Sequence, residues 1–417
     1  MVGLRRFFLS SFSWLILVVL LLGTVSNAVE LKYPDLAMRL NPFNNNARIQ
    51  VITNNLEAGD IGSLTEAEQL AIDGAYLSRG DARMFSMLGI IRERQDKNEK
   101  AQMLFDHALR LLPTEGFALL NRFGYLIKQK RPLDAVDLAD IIYRRWRNDL
   151  WPLLDSYWPY ILSDSQAFHK TVQMFDKSPD GKNRLMGSIF AGLEKEPENI
   201  KYAQALVAEW IAQKSENTQI LVNQLVDAWL DLEKPDQAYS QFVSSMNEEQ
   251  KSELGYVFNS KFNLQPTQNF FDWSIGQQQG FVARIIEVSD VGENALEIKF
   301  QDNPVRIKSI WQNLKLPSGN YELSSRYMTS HLRAPKLIRI FVGCGRGKKP
   351  LIDLPLPDSK GEMVQQKIRF EVPDDDCGAH RLWLGTEFLS MSRKNRFSGI
   401  LKLFEVSIER QSAGKSN

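Results

Sequence analysis

The sequence predicts an α + β multidomain chain, with an α-solenoid of stacked helix pairs followed by an antiparallel β-sandwich. Three observations predict it. Small and aromatic residues recur at 34-residue intervals between about Asn45 and Met246. After Leu264 the apolar period shortens from three or four residues to two. Ahead of both, no charge interrupts the chain from Phe7 to Val29.

The bulk composition agrees. With 417 residues, 43% hydrophobic and 24% charged, the chain is an ordinary globular protein of two or three folding units. Its 51 basic and 50 acidic residues leave a net charge of +1, which argues against a nucleic-acid partner. The four histidines, His107, His169, His331 and His380, are too far apart in sequence for a local metal motif. No cofactor is expected.

Residues 1–29 read as a signal peptide or a membrane anchor. Arg5 and Arg6 precede an apolar run centred on Trp14–Leu22, and Ser26 and Ala28 are small residues at the −3 and −1 positions of a cleavage site. The uncharged run is also long enough to cross a bilayer, which takes about 20 apolar residues. Arg5 and Arg6 would then stay on the cytoplasmic side. Both readings deliver the rest of the chain out of the cytoplasm. The expected location is a bacterial inner membrane with the bulk in the periplasm, or the periplasm or exterior if the segment is cleaved.

Residues 30–260 read as the helical domain. Ala101, Phe105, Ala108 and Pro113 fall at relative positions 0, 4, 7 and 12. Ala67, Ala71 and Gly74 stand 34 residues earlier, and Ala135, Ala139 and Ile142 stand 34 later. Ala167, Thr171, Met174 and Pro179 keep the spacing, as do Ala238, Phe242 and Ser245. Small residues let two helix backbones approach, and a large one fills the groove of the next pair. With Leu88 and Gly89 upstream, residues 82–115 resemble the tetratricopeptide repeat (TPR) family most closely. Residues 48–81, 116–149, 148–181 and 219–252 are weaker copies, and 182–218 is helical but out of phase. Tyr33–Pro42 reads as one solitary capping helix. Trp146, Trp151, Tyr157, Trp158 and Tyr160 crowd one stretch, either as an aromatic groove or as core filling at a distorted repeat junction.

Residues 268–410 read as the sandwich, and 411–417 as a disordered tail. Gln265–Asn269 is a plausible linker. Beyond it, alternating runs such as Tyr321–Tyr327, Leu337–Val342, Lys367–Val372 and Leu401–Ile408 are separated by Pro317–Asn320, Pro357–Ser359 and Pro373–Asp376. Short strands without intervening helices indicate an antiparallel sandwich. Phe271-Asp272-Trp273 followed by Gly280, then Gln312 and Leu314 before Leu316-Pro317-Ser318-Gly319-Asn320-Tyr321, is similar to the jelly-roll carbohydrate-binding modules. The resemblance implies that the closing strand, Gly399–Glu409, returns beside the first.

Nothing in the sequence marks a catalytic site. It has no nucleophile elbow, P-loop or zinc spacing. Gly343–Lys349 is glycine-rich and basic but lacks the phosphate-loop spacing, and it reads as a surface loop. Asp374, Asp375 and Asp376 read as a solvated turn, with calcium as the alternative. Cys344 and Cys377 are the only cysteines. In an oxidising compartment they are expected to pair, closing a loop worth about 3–4 kcal/mol. Sugar faces stack on aromatic rings, so the candidate glycan contacts are Trp273, Trp311, Tyr327, Trp383 and Phe397. The expected function is a non-enzymatic cell-envelope scaffold. Its repeats would bind protein partners and its sandwich polysaccharide, a layout that resembles proteins of bacterial exopolysaccharide systems. The alternatives are a polysaccharide-active enzyme with an unrecognised site and a membrane-complex assembly factor that binds no sugar.

Overall fold

The computed structural model describes residues 2–344, 350–374, 379–386 and 392–411, without the side chains of residues 2–13, 15 and 393. The chain divides into two compact units, residues 1–192 and 193–417.

The first unit is helical. It comprises α1 (Val2–Val29), α2 (Pro34–Leu40), α3 (Asn45–Ala58), α4 (Ile61–Leu77), α5 (Ala82–Arg94) and α6 (Asn98–Leu111). The unit continues through α7 (Gly116–Lys128), α8 (Pro132–Arg145), α9 (Trp158–Ser163), α10 (Ser165–Phe175) and α11 (Pro179–Phe190). The pairs α3/α4, α5/α6 and α7/α8 occupy the predicted repeat windows, and α2 is the solitary helix. Side chains start several of these helices by accepting backbone N–H bonds that the first turn cannot satisfy internally: Asn44 for α3, Asp60 for α4, Asp81 for α5 and Glu115 for α7. The repeat positions Ala67, Ala71, Ala101, Phe105, Ala108, Ala135, Ala139 and Ile142 are all fully buried. A Cβ on Gly89 would lie 2.5 Å from the Phe105 ring, so α5 and α6 approach this closely only because residue 89 has no side chain. At the aromatic stretch, Trp151 and Trp158 are buried with ring centroids 5.1 Å apart, and Trp151 also packs edge-on against Tyr143 and Phe175. These two tryptophans fill core, while Tyr157 and Tyr160 stay partly exposed.

The expectation of a membrane-spanning helix is not met among the described residues, where no helix is long and apolar enough to cross a membrane. The described apolar side chains of α1, including Trp14, Ile16–Leu22 and Val25, are exposed. The C-terminal turn of α1 is tied into the unit. Ser26 is fully buried, its hydroxyl donates to the Ala37 carbonyl at 2.8 Å, and it accepts from Asn44 Nδ2 at 2.9 Å.

The second unit starts with α12 (Ile200–Ala212), α13 (Thr218–Asp231), α14 (Pro235–Ser244) and α15 (Glu248–Ser252). Ten strands follow among the described residues: β1 (Ser274–Ile275), β2 (Phe281–Val288), β3 (Glu293–Pro304), β4 (Ile310–Leu314), β5 (Gly319–Arg333), β6 (Ile338–Gly343), β7 (Ile352–Leu356), β8 (Val364–Val372), β9 (His380–Thr386) and β10 (Arg396–Arg410). They form two antiparallel sheets, ordered β1-β4-β9-β6-β7 and β2-β3-β10-β5-β8. Inward residues of both sheets, among them Leu296, Ile298, Leu323, Ile340, Leu382, Leu384 and Leu403, make one core.

Two expectations change here. The closing strand β10 does not return beside the opening one: it lies between β3 and β5, whereas β1 pairs with β4. Leu401, Leu403 and Val406 of β10 are fully buried, which suits a central strand paired on both sides. Second, Gln265–Asn269 is no loose linker. The Thr267 N–H and hydroxyl donate to Asp272 Oδ2 at 2.7 and 2.8 Å, and Asn223 Nδ2 donates to the Thr267 carbonyl at 3.0 Å. Burial pushes the Asp272 carboxyl up from its ordinary pKa despite these bonds. The compact division itself falls at Gly192/Leu193. Tyr239 and Phe242 of α14 pack on Phe271, and Phe242 on Phe258, so the last helices share aromatic contacts with the segment leading into the sandwich. The predicted tail, apart from Gln411, lies outside the described residues.

Replacing Gly89 with valine should destabilise the helical unit by about 1–3 kcal/mol, because the buried Phe105 ring has to move. Gly124→Ala, on α7 with nothing within 4 Å of the added methyl, should change stability by less than about 1 kcal/mol. Urea unfolding of both variants checks the contrast.

Candidate functional site

In the sheet β1-β4-β9-β6-β7, alternate residues face outward. Ile310 and Gln312 of β4, Leu382 and Leu384 of β9, and Ile340 and Val342 of β6 are buried. Their neighbours Trp311, Trp383 and Phe341 therefore point away from the core, and each is half-buried. Pairing brings them into line: Trp311 sits opposite Trp383, Trp383 opposite Phe341, and Phe341 opposite Asp353 of β7. Trp383 and Phe341 stack with ring centroids 5.3 Å apart and planes 20° from parallel.

Glycines and arginines set how the rings lie. A Cβ at Gly385 would fall 2.7 Å from the Phe341 ring, and one at Gly343 would fall 3.5 Å from Trp383. The rings thus lie close over the strand backbone. Arg381, one row away on β9, holds its guanidinium 4.1 Å from the Trp311 ring centroid. Its Nε donates to Asn313 Oδ1 at 2.9 Å, which fixes the stack. Arg339 donates to Asp353 Oδ1 at 3.0 Å at the other end of the row. Two cavities flank Trp311, of about 640 and 680 Å³, and Trp311 and Ser274 line both. The arrangement offers a row of half-buried aromatic rings whose placement two arginines fix.

The structure divides the predicted glycan contacts. Trp311 and Trp383 share the outer row. Trp273 and Tyr327 are fully buried and Phe397 is 2% exposed, so these three belong to the core. Trp273 packs on Phe262 and its Nε1 donates to the Asn259 carbonyl; the Tyr327 hydroxyl donates to the Pro357 carbonyl at 3.1 Å. Phe341 was missed by sequence reasoning although a signal existed: Arg339 marks the outer parity of β6, and Phe341 shares it.

Cys344 follows β6, is half-buried and is disulfide-bonded. Cys377 lies outside the described residues, so its pairing with Cys344 stands as a proposal. Asp374 is exposed, whereas Asp375 and Asp376 lie outside the described residues, as does 345–349 of the glycine-rich loop. Among the described residues no acidic, histidine or cysteine cluster fits a metal ion.

No protein-family model matches the chain, and no curated relative matches it. Among solved structures, the chain is similar to TmCBM61 in complex with β-1,4-galactotriose, with 16% identity over 38% of this chain and 99% of that one, at a TM-score of 0.28. It is similar to a carbohydrate-binding module from a Cellvibrio mixtus lichenase in complex with cellotriose, with 14% identity over 33% of this chain and 93% of that one, at a TM-score of 0.23. It is also similar to yeast Tom70, with 17% identity over 58% of this chain and 53% of that one, at a TM-score of 0.32.

Thiol labelling of the unfolded chain under non-reducing conditions should find no free cysteine. Two labelled thiols would contradict the Cys344–Cys377 pair.

Proposed function

We propose that the chain is a non-enzymatic glycan-binding scaffold of the bacterial cell envelope, serving polysaccharide assembly or export. The outer face of β4, β9 and β6 holds the sugar chain. The observation that carries this reading is the row Trp311–Trp383–Phe341, two of whose rings lie over glycines. Sugar rings present flat C–H faces that pack on such a floor. The TPR-like helix pairs serve a protein partner, since stacked pairs present extended surfaces suited to one.

The site of action is outside the cytoplasm, with the chain attached at a membrane through α1. Retention of α1 is favoured over cleavage after Ala28 because Ser26, at the −3 position, is buried and bonded to Ala37 and Asn44. Cleavage would remove both bonds.

Trp383→Ala and Phe341→Ala should each weaken binding to an oligosaccharide by about tenfold, as expected for about 1.4 kcal/mol of lost stacking. Their circular dichroism should remain that of the parent chain. Calorimetry after a glycan screen measures this; a chain that binds no glycan, or binds equally well without both rings, contradicts the reading. Intact-mass measurement of protein from its bacterial host should show residues 1–28 still attached, and a chain beginning at Val29 would exclude the retained helix.

A further inference from the structure

The cavity of 680 Å³ beside Trp311 is bounded on one side by Gln277 and Gln278 and on the other by Arg306, Lys308 and Ser309. Val305 and Ile307 are buried, so the alternating Arg306 and Lys308 face outward, and both are exposed. Their backbone is held from two sides. Gln278 Nε2 donates to the Arg306 carbonyl at 2.5 Å and its Oε1 accepts from the Lys308 N–H at 3.1 Å. The buried Thr386 hydroxyl donates to the Val305 carbonyl at 3.0 Å and accepts from the Ile307 N–H at 3.1 Å. Two cations thus stand at fixed backbone positions at the end of the aromatic row, and no carboxylate lines this cavity among the described residues. The nearby acid Asp302 is bonded to Arg396.

We propose that the glycan held on this face is anionic, with carboxylate or sulfate groups seated against Arg306 and Lys308 while neighbouring sugar rings lie on Trp311, Trp383 and Phe341. The inference rests on the glycan-binding reading above and adds the class of sugar. A neutral polysaccharide would leave both cations solvated and would gain nothing from their placement. An anionic one forms charge-assisted hydrogen bonds, which are stronger than those to a hydroxyl. The rings alone do not distinguish the two, because the faces of neutral and acidic sugars are equally apolar.

The test uses the full chain in mild detergent and matched polymers: polygalacturonate against its methyl ester, carboxymethylcellulose against hydroxyethylcellulose, and dextran sulfate against dextran. At least one anionic polymer should bind about tenfold or more tightly than its neutral partner, and added salt should reduce the difference. The carboxylated and sulfated arms identify which anion is taken. The double variant Arg306→Glu/Lys308→Glu should abolish the preference while binding to neutral polymers and the circular dichroism stay unchanged. Trp383→Ala should weaken binding to both members of a pair. Equal binding within every pair, or a preference that survives the double variant, overturns the anionic assignment and leaves the glycan reading standing. A preference that survives Trp383→Ala marks unspecific charge attraction and also overturns it. Binding to none of the six polymers, with none found in the wider glycan screen, overturns both.

Discussion

A missing Cβ makes room for one aromatic ring in each unit. In the helical unit, Phe105 occupies space that a side chain at Gly89 would fill. In the sandwich unit, Phe341 lies where a side chain at Gly385 would stand and stacks on Trp383. The physical constraint is the same, since two backbones or a backbone and a ring approach only where one partner has no side chain. The consequences differ. Phe105 is sealed inside and binds the repeat together, whereas Phe341 faces outward and helps make a floor. Burial of Phe105 is stability. Partial exposure of three aromatics in one row leaves apolar surface uncovered, and such surface gains free energy only when something covers it.

The electrostatics follow the same layout. Arg381 is spent on Trp311 and Asn313, and Arg339 on Asp353, so those two guanidiniums order the row. Arg306 and Lys308 are held through their backbone, which leaves their side chains to meet a ligand. The floor and the cations are built by neighbouring strands of one sheet and the segment entering it. Strand pairing sets the spacing of the floor, and the bonds of Gln278 and Thr386 to the backbone hold the segment that carries the cations.

Much of the fold was legible in the sequence, for physical reasons. A 34-residue recurrence of small residues has few explanations other than stacked helix pairs, and Ala101, Phe105 and Ala108 took the buried positions it assigned them. The switch to a two-residue period marked the sandwich. The site was only half legible. Alternation separates two faces of a strand but does not say which is the outer one, so Tyr327 and Phe397 looked as available as Trp383. Charged residues of matching parity carry that information: Arg381 for Trp383 and Arg339 for Phe341. Strand order was also hidden, because β10 reads as a strand whichever neighbours it has. The contacts of Tyr239, Phe242 and Asn223 with residues 258–271 were equally hidden, since α13 and α14 carry the repeat pattern whatever they pack on.

The central claim is that sugar is held on the outer face of β4, β9 and β6. Amide and indole chemical-shift mapping of the full chain with an oligosaccharide it binds tests this most directly. The account predicts that the largest shifts fall on Trp311, Phe341, Trp383 and Gly385, with the opposite sheet of β2, β3, β10, β5 and β8 unchanged. Shifts confined to that opposite sheet, or to the helices, would contradict it.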